Sequence, residues 1–147
     1  MPLSLSSHAF AHGEPIPERH SGDGEDVSPP LSWSEVPEGA ETLALIVDDP
    51  DAPSGTFVHW LAWGIDPGQG RLEEGEAAPA EGAGGFGDTG YRGPAPPPGH
   101  GPHRYFFRLY ALDFVPDLEP GASRERLQAA IDGHVLESTE LVGTYER

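Results

Sequence analysis

Apolar residues along this chain fall in short runs, some alternating with a period of two and some unbroken, and only one stretch carries the spacing of a helix. Leu3 and Leu5 alternate with serines and predict a short first strand, followed over residues 8–27 by a polar, glycine-bearing stretch without helical period. Ser28-Pro29-Pro30-Leu31-Ser32-Trp33 reads as extended chain, its prolines arguing against helix and against a central place in a sheet. Residues 42–47 form an unbroken apolar run, predicting a strand buried on both faces that delivers Asp48 and Asp49 at its end. In residues 57–65, alternation puts Phe57, His59, Leu61 and Trp63 on one face and Val58 and Trp60 on the other. Both faces are apolar, which predicts a central strand.

Residues 67–90 are rich in Gly, Glu, Ala and Pro and predict a long, exposed, partly mobile loop. A second aromatic strand is expected over 104–112. Leu127, Ala130, Ile131, His134 and Val135 then follow the i, i+3, i+4, i+7, i+8 spacing of an amphipathic helix, with Ser123 as N-cap and His134 on its apolar face. Residues 141–145 have strand composition and would close a sheet edge. The sum is a mainly β, α+β chain, and 147 residues fit a single domain.

Charge and composition narrow the function classes. The net charge is -17, from 25 acidic residues against 8 arginines and no lysine. Two readings stand: the codon bias of a GC-rich genome, or adaptation to molar salt, which would show as a melting temperature climbing with potassium chloride. Either way, the absence of a basic cluster excludes nucleic acid as a partner. Cysteine is absent, which removes disulfides, thiolate metal sites and a cysteine nucleophile. With neither a signal-like segment nor an apolar run of membrane length, a cytoplasmic protein without stable membrane insertion is expected.

The chemistry concentrates in two stretches, Asp49-Pro50-Asp51-Ala52-Pro53 with His59-Trp60 after it, and Gly93-Pro94 running to His103-Arg104-Tyr105. Prolines fix φ around Asp51, so the carboxylates are held, and one of the X-Pro bonds is a candidate cis peptide. An imidazole in an apolar strand needs partners for both ring nitrogens, and Asp49 or Asp51 is the expected partner of His59, leaving its other nitrogen to face a ligand as a donor. Alternation sends His103 and Tyr105 to one side and Arg104 to the other, so His103 and Tyr105 are expected to join His59 in a pocket and Arg104 to make a structural ion pair. His100 is placed near the mouth of that pocket.

Asp-Pro-Asp-Ala-Pro, a following His-Trp, and Gly-Pro…Pro-Pro…Gly…His-Arg-Tyr together resemble the phosphatidylethanolamine-binding proteins, also called the Raf kinase inhibitory protein family, in their short bacterial and archaeal branch. The likeness runs from Ser28 to Tyr145. It implies a central antiparallel sheet flanked by a smaller one, a C-terminal helix, and an anion pocket at the sheet edge formed by Asp49, Asp51, His59, Gly93, His103 and Tyr105. It also implies a cis peptide before Pro53. Ala95 departs from the glycine or cysteine of many relatives, and its methyl would narrow the mouth.

The favoured function is binding of a small anionic ligand, namely a phosphate, a carboxylate or a phospholipid head group, with no cofactor. Regulation by contact with an unidentified protein partner, as in the family's kinase- and protease-inhibiting members, and a homodimer remain open. Metal-dependent or acid/base hydrolysis is the third class, but no HExxH or GxSxG accompanies the histidines, and Ser54 and Thr56 have no assigned base.

Overall fold

In the computed structural model residues 2–53 and 55–147 are described. Ser54, one of the hydroxyls noted above, lies outside them. The order of strands is β1 (Ser4–Ser6), β2 (Leu31–Ser34), β3 (Thr42–Asp49), β4 (Phe57–Ile65), β5 (Arg71–Leu72), β6 (Ala80–Glu81), β7 (His103–Leu112) and β8 (Val135–Tyr145), with one α-helix, α1 (Arg124–Ile131), before β8. Five of them form an antiparallel sheet in the order β6-β4-β3-β7-β8, and three form a smaller sheet in the order β1-β2-β5.

The large sheet is covered on both faces, which explains why β3 is buried at every position. On one face Leu43, Leu45, Val47, Trp60, Phe107 and Leu109 pack against Leu5, Leu31, Trp33 and Leu72 of the small sheet. On the other, Ala44, Ile46, Leu61 and Trp63 pack against Leu127 and Ile131 of α1. Ser123 caps the helix by accepting from the Arg126 N–H at 3.2 Å.

Four expectations are corrected. β2 is the central strand of the small sheet, because Pro29 and Pro30 precede the paired residues and remove no ladder donor from them. Residues 67–90 are not a bare loop: β5 joins the small sheet, β6 edges the large one, and the Trp60 Nε1–H donates to Glu81 at 2.9 Å. The helix ends at Ile131, so Val135 opens β8, and His134 is half exposed, bonded to Asp113 at 2.9 Å, with its ring tilted against Phe114 at 4.2 Å between centroids. Finally, no peptide bond among the described residues is cis, including the one before Pro53. Asp49 Oδ1 accepts the Asp51 N–H at 2.8 Å and Ala52 O accepts the Gly55 N–H at 3.0 Å, so successive turns reverse the chain with trans bonds.

Candidate functional site

The site lies where β3 and β4 lose simple register. Val47 pairs with Trp60 and Asp48 with Val58, so His59 is the extra residue of a β-bulge. The bulge breaks the alternation read from sequence: Leu61, Trp63 and Val58 face the helix, whereas Trp60 faces the small sheet, and His59 turns toward Tyr105, with ring centroids 5.3 Å apart. A strand of strict period two would have placed His59 with Leu61 and Trp63.

His59 is fixed by a backbone segment, not by a carboxylate. Its Nδ1 donates to Arg92 O at 2.7 Å, and the Arg92 N–H donates to His59 O at 3.0 Å. A carbonyl can only accept, so the proton of the neutral ring sits on Nδ1 and Nε2 carries a lone pair. Burial pushes the His59 pKa below its usual value, against the upward pull of the Arg92 carbonyl and of Asp49, Asp26 and Asp48. Nε2 has no partner among the described residues, and the ring lines a pocket. His59 therefore presents an acceptor, and becomes a donor only when a proton arrives.

Asp49 is 3% exposed and takes the other histidine: Asp49 Oδ2 accepts from His103 Nδ1 at 2.7 Å. His103 Nε2 lies 2.6 Å from His100 Nδ1, so one hydrogen is shared between those rings and both nitrogens of His103 are occupied. Burial and the Asp49 carboxylate push the Tyr105 phenol up, which keeps it a neutral hydrogen-bond donor. Asp51 turns outward. It accepts from Nε, Nη2 and the backbone N–H of Arg104, each at 2.9 Å, and these bonds hold its carboxyl down at about 2.

The structure thus brings Asp49, His59, His103 and Tyr105 to one pocket of about 260 Å³, lined also by Ala52, Pro53, Phe57, Phe86, Ala95, Pro96 and Pro97. Asp51 and Gly93 are not on its wall. The Gly93 N–H donates to Asp26 Oδ1 at 2.6 Å, and a Cβ there would sit 2.1 Å from His20 O, so glycine allows two backbone segments to touch behind the site. Phe86 is a lining residue that sequence reasoning passed over, and Phe57, read on the same face as His59, shares the pocket with it. Phe86 stands alone in Gly84-Gly85-Phe86-Gly87, and a Cβ on Gly85 would lie 2.5 Å from the Phe57 ring, so the glycine lets this turn close onto the pocket. A single aromatic within a glycine run was the available signal.

Comparison with known proteins defines the class. The family model for phosphatidylethanolamine-binding protein matches residues 6–146, and the chain belongs to that family. A UPF0098 protein of Methanothermobacter thermautotrophicus is 50% identical over 99% of each chain, and UPF0098 protein PH1269 of Pyrococcus horikoshii is 46% identical, covering 100% of this chain and 78% of that one. Among solved structures, CT736 of Chlamydia trachomatis, described as a phosphatidylethanolamine-binding protein homolog, superposes with a TM-score of 0.94 at 42% identity over 99% of this chain and 98% of that one. YbcL of Escherichia coli, described as a member of the mammalian family, gives 0.91 at 27% identity over 100% and 99%. No helix among the described residues is long and apolar enough to cross a membrane.

Proposed function

We propose that this chain is a binding protein for a small anion, a carboxylate, phosphate or phospholipid head group, held in the pocket between β3, β4 and β7. The carrying observation is the unpartnered Nε2 of buried His59, facing the pocket beside Tyr105 and Asp49. A proton shared between Nε2 and an acid oxygen makes a charge-assisted hydrogen bond in a largely dehydrated place, with the Tyr105 hydroxyl as a second donor. Orientation is built in, since Arg92 clamps His59 and Asp49 clamps His103.

The reading is one of binding without turnover. Among the described residues the hydroxyl on the pocket wall belongs to Tyr105, whose raised pKa suits it to donate and not to attack. Calorimetric titration of the purified protein with acetate, inorganic phosphate and phosphoethanolamine between pH 5.5 and 8 tests it. At least one should bind, more weakly as pH rises, and His59→Leu should abolish the heat. Absence of binding by all three across that range would overturn the reading.

A further inference from the structure

The walls of the pocket differ from its floor, and the difference bears on which acid it takes. None of the 8 arginines lines it. Arg104 is turned onto Asp51, and Arg92 pairs with Asp26 and Asp88. The floor holds the Asp49 carboxylate, a His103 with both nitrogens occupied, a neutral Tyr105, and His59 with a lone pair. One incoming negative charge is matched by one proton at His59 Nε2. A second would face Asp49 in a buried setting with no arginine on the pocket wall to offset it.

The upper walls are apolar. Phe57 and Phe86 meet edge to face at 4.8 Å, Phe86 lies 5.9 Å from the His59 ring, and Pro53, Pro96 and Pro97 line the rest. Phe86 is 43% exposed although it carries a large apolar ring, and the Arg92 guanidinium lies 4.6 Å from its centroid. Such a ring at a pocket mouth gains free energy when a flat apolar group covers it.

Resting on the anion-pocket reading above, we propose that the site selects a monoanionic organic acid bearing a flat apolar group, bound with one proton between its acid oxygen and His59 Nε2 and with its apolar part against Phe57 and Phe86. Phe86 is then the residue that sets specificity. The charged and titratable groups around His59 are Asp49 and Asp48 of β3, His103 and Tyr105 of β7, and Asp26 and Arg92 of the loops. Asp26 is neutralised by Arg92, and Asp48 by Arg108 and Arg124, which leaves the proton itself as the balancing charge for the ligand.

Benzoate, acetate and inorganic phosphate, titrated calorimetrically into the full chain at pH 6.5, are the probes. Benzoate should bind about 10-fold or more tighter than acetate or phosphate, because only it covers the aromatic wall. Phe86→Ala should bring the benzoate-to-acetate ratio to about 3 or less, and Phe86→Tyr should keep it, since a flat ring remains. Uptake of one proton should weaken benzoate about 10-fold from pH 7 to pH 8. Phosphate binding as tightly as benzoate, a ratio unchanged in Phe86→Ala, or a flat pH profile would overturn this proposal and leave the anion pocket standing. Failure of all three probes to bind would remove both.

Discussion

Asp48 and Asp49 are neighbours in one strand, both buried, and they live in opposite chemical settings. Asp48, at 0% exposure, faces the helix side and is gripped by Arg108 at 3.1 Å and Arg124 at 3.3 Å. Asp49 faces the other way, meets no arginine, and holds an imidazole at the floor of a pocket. A carboxylate gripped by arginines from β7 and α1 ties the helix to the sheet. One that holds an imidazole on a pocket floor orients that ring. Strand alternation alone separates the two roles.

Loss of the Asp48 carboxylate has the largest expected effect. Asp48→Ala leaves Arg108 and Arg124 facing each other over a buried gap, with about a quarter of each side chain exposed to relieve it. The expected loss is about 3 kcal/mol, read by chemical denaturation, with anion affinity little changed at temperatures where the variant is folded.

A smaller effect separates the pocket face. His59→Leu should cost about 1–2 kcal/mol at pH 7.5, because the Arg92 carbonyl loses its donor. The pH dependence carries the sharper signal. Since burial lowers the His59 pKa in the folded state, its neutral form contributes stability that is present above its unfolded value of about 6.5 and lost as pH falls through the folded value. Denaturation curves of both proteins from pH 7.5 to 5 should therefore converge, and a constant gap would contradict the buried neutral ring.

The mildest perturbation is Arg104→Ala. The pair with Asp51 is exposed, 56% on the arginine side and 30% on the aspartate, so less than about 1 kcal/mol should be lost at neutral pH. Asp51 is held at about 2, so its contribution is present above the ordinary carboxylate pKa and disappears as pH falls toward 2. In acid titrations the variant should approach the parent protein near pH 2. A difference persisting there would mean that Arg104 acts through packing.

Much of this was legible in the chain itself. Alternation located the first strand and β4, an unbroken apolar run located β3 and an aromatic run located β7, the alternation of His103, Arg104 and Tyr105 sent the arginine outward, and two proline-bound motifs carried the family likeness. Less legible were the short strands within residues 67–90, whose two-residue length gives no period to read, and the role of His134, where the helical spacing ran past the real end at Ile131.

Sequence by itself determined the long strands of the large sheet, the family likeness and four of the side chains on the pocket wall, Asp49, His59, His103 and Tyr105, because these follow from local patterning and from motifs close together in the chain. Tertiary structure decided the rest. Whether His59 faces the pocket depends on a bulge set by the register of β3 against β4, and its tautomer depends on a carbonyl 33 residues away. Phe86 reaches the pocket because Gly85 lets one turn close over another ring. Register, long-range hydrogen bonds and close approach are relations between segments, and they exist only once the chain has folded.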